Sequence, residues 1–297
     1  MRRPEAPSIR LHEDPELFLA ALTFTVANTA LAARLIEKDY FSSVLLDHIF
    51  KKAGPLLVFK GGTCLSKVHA EFYRLSEDLD FMIPMPIESK RNERRLKMEP
   101  LKRIMETLSK ELPVFLTIEP LSGANESTQY IGVLGYRSFL HQQVETIKIE
   151  IGLREPLLQE ATIHKVQTIL RDPVLNGPMV EPIIFACISR MEAYSEKFRA
   201  ALTRREVAIR DFFDIDYAVR KLDLKTDDKD LARLIRSKLA VPGNEPVDIS
   251  ETRLSALRQQ MDSQLKPVLR DRDYQAFDLE RALRLVREVA SRLTSQQ

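Results

Sequence analysis

The sequence predicts an α+β fold, and three observations carry that prediction. Residues 16–52 are patterned as helix. The stretch from 56 to 152 holds short apolar runs broken by turns. From about residue 185 the chain returns to helical periodicity. Helices set to either side of a strand-rich middle indicate α+β, not a regular α/β alternation.

In residues 16–52, Leu17, Ala20, Ala21, Phe24, Leu31, Leu35 and Ile36 recur mostly at steps of three and four. Phe41, Val44, Leu45, His48 and Ile49 continue the run, and Gly54-Pro55 ends it. Residues 56–59 suit a short buried strand. Lys60-Gly61-Gly62-Thr63 reads as a tight turn, with a helix opening over 64–71 and Thr63 as its N-cap. Residues 79–83 read as the next strand, closed by Pro84 and Pro86. Residues 87–112 are charged and helix-prone, and Pro100 predicts an interruption. Three strand-like runs follow, 114–119, 129–136 and 144–152. Residues 153–184 read as loops, with Pro156, Pro173, Pro178 and Pro182. A long helix is expected from near Phe185 to about Leu222, then a charged linker over 225–230 and more helix over 228–295. The reading divides the chain into an N-terminal α/β domain, 1–182, and a helical C-terminal domain, 183–297.

The formal net charge is only +2, so any nucleic-acid contact has to be a local patch. Cys64 and Cys187 are too few for a zinc site or a disulfide framework and read as core residues. Residues 1–15 lack an apolar signal core, and no run reaches the length of a membrane span, so the expected location is cytoplasmic, with no membrane partner. There is no tryptophan to stack on a base. Phe81, Tyr130 and Tyr136 are the aromatic candidates for that role, and equally candidates for the core. Lys90, Arg91, Arg94, Arg95 and Lys97 make a basic run that suits a solvated helix face or a nucleic-acid contact.

The chemistry-bearing residues cluster between 60 and 80. Two glycines after a strand let backbone approach a ligand closely, and the helix start behind them suits a phosphate. Then follows Arg74-Leu75-Ser76-Glu77-Asp78-Leu79-Asp80. On a strand, Asp78 and Asp80 share one face. Two carboxylates held together repel unless a cation sits between them, and Mg²⁺ (or Mn²⁺) with NTP phosphates is such a cation. Glu150 is the third carboxylate by parity: Ile147, Ile149 and Ile151 form the buried face of its strand, and Thr146, Lys148 and Glu150 the other. Lys60, Lys67 and Arg74 are candidates for phosphate contacts. The last cluster is Glu196-Lys197, followed by Arg210-Asp211-Phe212-Phe213-Asp214. In one unbroken helix Lys197 and Asp211 would stand about 21 Å apart. If both act together, the helix breaks between them, and residues 203–207 are the expected place.

These blocks resemble the AbiEii/MenT-type nucleotidyltransferases, toxins of bacterial toxin–antitoxin systems. The resemblance runs from about residue 30 to 222. It is carried by Glu37-Lys38-Asp39-Tyr40 (with Phe41 where a tryptophan is common), the segment from Lys60 to Lys67, the segment from Arg74 to Phe81, Lys148-Ile149-Glu150-Ile151 with Arg154-Glu155, and the late block from Glu196 to Asp214. It implies a polymerase-β-like core, a mixed sheet flanked by helices, with a helical C-terminal region. It implies Asp78 and Asp80 as metal ligands, Thr63 and nearby backbone on the triphosphate, and Lys197 and Asp211 as catalytic partners reaching the cleft from the C-terminal domain. It implies transfer of a nucleotide from an NTP, with the tRNA 3′ end as the expected acceptor and a cognate antitoxin as the expected partner.

Other readings share these residues. A sugar-nucleotide transferase also uses an Asp-x-Asp pair with a metal. A catalytically silent relative would bind nucleotide or partner alone, and an active one could modify a protein or a small molecule. Beyond residue 225, Arg233, Arg236 and Lys238, or Arg281, Arg284 and Arg287, could form a basic face for RNA or antitoxin.

Overall fold

The computed structural model describes residues 9–295. The architecture is α+β: a mixed seven-stranded sheet with helices, and a helical C-terminal region. The chain clusters into two compact units. One is the chain up to Arg154 together with Thr162–Cys187; the other is Glu155–Ala161 together with the chain from Ile188 onward.

In the first unit, α1 (Pro15–Thr29) starts at Asp14, whose side chain accepts from Leu17 N–H, and Pro15 suits the first turn. α2 (Ala33–Ala53) ends at Gly54, whose φ of +57° a glycine adopts freely. Next come β1 (Val58–Lys60) and α3 (Gly61–Cys64), which runs on into a wider π-helical turn over Leu65–His69. Then β2 (Leu79–Met82), α4 (Arg91–Glu111), β3 (Phe115–Ala124), β4 (Gln129–Arg137), β5 (Val144–Gly152), β6 (Thr162–Val166) and β7 (Ile183–Cys187) complete the unit. The strand order is β3-β4-β5-β2-β1-β7-β6. β1 and β2 are antiparallel, while β2–β5 and β1–β7 are parallel.

One face of this sheet is the core. Phe59, Phe81, Ile151 and Tyr130 are all at most 1% exposed. Helix α2 crosses this face: Phe41 stacks on Tyr136 of β4 at 4.1 Å, and Phe50 meets Phe185 of β7 at 5.0 Å. The three aromatic candidates for a base, Phe81, Tyr130 and Tyr136, are therefore core residues. They alternate with the polar residues of the opposite face.

Four sequence expectations are corrected. Helix α4 runs unbroken through Pro100, because Pro100 and Leu96 are exposed and water can take the carbonyl that proline leaves unpaired. Thr63 is not an N-cap; it lies inside the first helical turn. The loop-rich stretch 153–184 contains strand β6 and the start of β7. The long helix does not begin near Phe185, because Ile183–Cys187 alternates in burial as a strand and α5 (Arg190–Thr203) follows, capped by Ser189.

The second unit continues with α6 (Ile209–Lys221), α7 (Lys229–Leu239), α8 (Glu251–Gln260), α9 (Asp271–Ala276) and α10 (Leu279–Ser295). Leu279, Ala282, Leu283, Val286, Val289, Ala290 and Leu293 form the buried stripe of α10 at helical spacing. In the same unit Lys238 of α7 is wholly buried. It meets Glu192 at 2.7 Å, Glu155 at 3.0 Å and Glu196 at 3.2 Å. Glu192 also accepts from the N–H groups of Leu158 and Gln159, so the segment Glu155–Ala161 is tied to α5. Lys238 thus takes no part in a basic face. Arg281 is likewise held by Asp216 at 2.6 Å, and Arg287 by Glu251 at 2.6 Å. Among the described residues, no helix is long and apolar enough to cross a membrane.

Candidate active site

The face of the sheet opposite the core carries the polar residues. Strand pairing sets Lys60 against Asp80, and Asp80 beside Glu150. Paired residues project to the same side, so these three form one row across β1, β2 and β5. Asp78 lies two residues before Asp80, just ahead of β2, and both aspartates are half-buried.

The turn after β1 is built around the carboxylate. Gly61 has φ +75°, and a Cβ placed there would lie 2.0 Å from Asp80 Oδ2. A side chain is excluded twice, by backbone conformation and by space. A Cβ on Gly62 would meet Arg74 Nη2 at 2.8 Å and Ser76 Oγ at 2.9 Å. The two glycines let the segment from Arg74 to Asp80 lie directly on the helix start. The Thr63 hydroxyl donates to the backbone carbonyl of Asp78, and Ser66 Oγ donates to that of Arg74 at 2.5 Å. Both hydroxyls therefore pin the segment that carries the aspartates.

The structure brings Gly61, Gly62, Thr63, Arg74, Asp78, Asp80 and Glu150 together. Arg74 is 2% exposed, and its Nη1 donates to the Leu75 carbonyl at 3.1 Å. Lys67 is placed elsewhere. Its ammonium is sealed against Asp39 Oδ1 at 2.6 Å, Ser43 Oγ at 2.9 Å and the Gln167 carbonyl at 3.2 Å. Burial draws the Lys67 pKa down, and Asp39 opposes that.

Sequence reasoning missed the partners of Glu150. Lys148 Nζ lies 2.9 Å from Glu150 Oε2, and Gln129 Nε2 donates to Oε1 at 2.6 Å. Gln129 is itself held by Asn125 Nδ2 at 3.1 Å, from a β3–β4 turn in which Asn125, Glu126 and Ser127 all have left-handed φ. Burial pushes the Glu150 carboxyl up, but the hydrogen bond and charge of Lys148, then Gln129 and Lys60, outweigh it and hold the carboxyl below its usual range. Burial alone would lower the Lys148 pKa. Glu150, Asp78 and Asp80 raise it instead. Lys148 shares the parity of Glu150 and was findable in the sequence; Gln129 arrives through hairpin register and left no sequence signal.

Helix α2 supports the site from consecutive side chains. Glu37 accepts from Ser138 Oγ at 2.6 Å and Phe139 N–H at 2.7 Å. Lys38 pairs with Glu77 at 2.9 Å, and Asp39 with Lys67. Burial raises Glu77, but Lys38 and Arg34 overcome it and keep the group below the usual carboxylate range.

In the second unit, Lys197 Nζ lies 2.8 Å from Asp211 Oδ1 and 2.8 Å from Asp214 Oδ2. Arg204 Nη1 holds the other Asp211 oxygen at 3.0 Å. Helix α5 ends at Thr203 and α6 begins at Ile209, so the break falls where the pairing requires it.

The donor set of the first unit suits a hard divalent cation. Asp78 and Asp80 offer carboxylate oxygens, and Gly61 leaves the room that the Asp80 carboxylate occupies. Among the described residues no three His, Cys, Asp or Glu side chains form a ready-made cage. Mg²⁺ commonly takes one or two carboxylates and completes its shell with phosphate oxygens and water, so two suffice. Glu150 would have to release Lys148 to join them.

A family model described as "Nucleotidyl transferase AbiEii toxin, Type IV TA system" matches residues 44–288. No curated protein sequence matches the chain. Solved structures similar to it include JHP933 from Helicobacter pylori, at 18% identity and TM-score 0.49, over 90% of this chain and 96% of that one. A putative nucleotidyltransferase from H. pylori aligns at 15% identity and TM-score 0.44, over 96% and 97% of the two chains. MenT4, a nucleotidyltransferase toxin from Mycobacterium tuberculosis, aligns at 16% identity and TM-score 0.49, over 93% and 98%.

Proposed function

Because the chain belongs to the AbiEii family of nucleotidyl transferase toxins of type IV toxin–antitoxin systems, we propose that it transfers a nucleotide from a metal-bound NTP to the 3′ end of tRNA, with Asp78 and Asp80 holding the metal. The observation that carries the site assignment is the fit of Asp80 into the space left by Gly61, beside Lys60 and Glu150 in one row.

The chain's own groups divide the work as follows. The first turn at Gly61–Thr63 presents backbone N–H groups, which a helix start cannot satisfy internally, to the NTP phosphates. Lys60 and Lys148 add positive charge on the same sheet face. Gln129 and Lys148 hold Glu150 in place. A divalent metal on Asp78 and Asp80 supplies Lewis-acid stabilisation of phosphate charge. The acceptor hydroxyl oxygen bonds to the α-phosphorus as the bond to pyrophosphate breaks, and the hydroxyl proton is lost to solvent. Following the late-block resemblance, Lys197 offsets charge in the transfer, with Asp211 orienting it.

The test uses purified protein, total tRNA, Mg²⁺ and each α-labelled NTP in turn, with Asp80→Ala in parallel. Label on tRNA from one NTP, lost in the variant, supports the proposal and identifies the donor. No label from either folded protein rejects tRNA as acceptor and moves the search to protein or small-molecule acceptors.

A further inference from the structure

The Lys197–Asp211 contact exists because a straight helix was prevented. Fourteen residues of continuous helix would hold the two about 21 Å apart, whereas their side chains meet at 2.8 Å across the break between α5 and α6. A break exposes carbonyls at one helix end and N–H groups at the next, and each needs a partner. Groups of both sets are met from a single helix, α8, in the part of the chain where no motif was legible.

Arg253 of α8 serves the end of α5. Its guanidinium donates to the carbonyls of Ala201, Arg204 and Asp248, and it is 8% exposed. A cation on the terminal carbonyls also complements the negative end of the helix dipole. Gln260 serves the start of α6. Its Oε1 accepts from Ile209 N–H at 2.8 Å, and its Nε2 donates to the Val207 carbonyl at 2.8 Å. Arg253 and Gln260 are seven residues apart, which is two helical turns, so they project from one side of α8. Between them they fix both lips of the break. Asp248 N–H adds a bond to the Leu202 carbonyl at 2.9 Å.

We propose that α8 is a splint for the catalytic elbow, and that Arg253 and Gln260 are positioning residues that hold Lys197 against Asp211. Their importance to transfer rests on the reading of Lys197 given above; their effect on the lysine's position does not. Their bonds at the break run to backbone groups, so both act through the backbone they hold.

The experiment records the lysine ammonium resonances of ¹⁵N-lysine-labelled full-length protein. The Lys197 and Lys238 signals are identified by their loss in Lys197→Arg and Lys238→Arg. Arg253→Met and Gln260→Leu are expected to shift or broaden the Lys197 signal while the Lys238 signal, from the buried cluster that ties α7 to the body of α5, stays in place. An unchanged Lys197 signal in both variants overturns the proposal. If either variant loses the Lys238 signal as well, it has unfolded. Gln260→Glu, which keeps an acceptor for Ile209 and sets a carboxylate oxygen against the Val207 carbonyl in place of the donor, is then read by the same criterion. Transfer activity is measured alongside: kcat is expected to fall roughly ten- to a hundredfold with the KM for NTP held, as misplacement of a catalytic group predicts. A moved Lys197 signal with full activity upholds the splint and removes Lys197 from the chemistry.

Discussion

Asp80 and Glu150 stand side by side, in register on adjacent parallel strands, yet they are held differently. Glu150 has a lysine on one oxygen and an amide on the other, while Asp80 lies over Gly61 in space that any side chain there would fill. Asp78 is the second half-buried carboxylate of the pair, two residues away. Removing one of two neighbouring like charges relieves repulsion when no cation is present. Asp80→Asn is therefore expected to keep or raise the melting temperature in metal-free buffer, to lose stabilisation by added Mg²⁺, and to lower turnover by at least about a hundredfold. A lower melting temperature without metal would count against the clamp.

Gly61 and Gly54 both have positive φ, and only one is crowded. A Cβ at Gly54 meets nothing within 4 Å, while at Gly61 it collides with Asp80. Gly54→Ala is expected to cost about 1–3 kcal/mol of backbone strain, because φ +57° with ψ −138° suits glycine, and to leave transfer intact. Gly61→Ala adds displacement of Asp80 to that strain, and should abolish both transfer and Mn²⁺ binding. Equal Mn²⁺ affinity in the two variants would show that the turn does not shape the metal site.

Much of the candidate site was legible because it depends on local parity. Ile147, Ile149 and Ile151 against Lys148 and Glu150 needs no knowledge of the partner strand, and the burial pattern of β5 follows it residue by residue. The helix break near residue 204 was legible because a distance forbade the alternative. What could not be read depends on register and on long-range partners. Lys67 sits beside the glycine turn in sequence, yet its ammonium is claimed by Asp39, 28 residues earlier. Strand β7 looked helical because a buried strand and a buried helical turn are equally apolar over five residues. The work of Arg253 and Gln260 was invisible because the groups they serve are backbone carbonyls and N–H groups about fifty residues away, which carry no side-chain signature.

Lys238 gives a stability test separate from chemistry. It lies among Glu155, Glu192 and Glu196 with no solvent exposure, and Arg199 joins the cluster through Glu155 at 2.6 Å. Breaking a buried ion cluster by removing one partner strands the others in low dielectric, at about 3–5 kcal/mol. Lys238→Met is expected to lose that much in urea unfolding monitored by circular dichroism. A loss under about 1 kcal/mol would mean that the glutamates find water or protons at little cost.

Acid sensitivity should come first from histidines in the first unit. His48 of α2 lies 3.5 Å from Glu111 of α4, and His12 bonds the Tyr40 hydroxyl at 2.8 Å. For His48, burial lowers the pKa below the ordinary 6.5 more than the Glu111 charge raises it. For His12, burial again dominates over the opposing charge of Glu13. In both cases the unfolded chain takes up its proton first as pH falls. Stability therefore declines from about pH 6.5 down through the folded values, below which both states are protonated and the loss is complete. Glu37 acts in the opposite sense at lower pH: burial raises its carboxyl above the ordinary 4.5, so the folded chain binds that proton first. The difference between wild type and His12→Gln/His48→Gln isolates the histidine contribution. Urea midpoints at about pH 7.5 and about pH 5.5 are expected to fall further for wild type than for the double variant. Equal falls would place the acid-sensitive groups elsewhere in the chain.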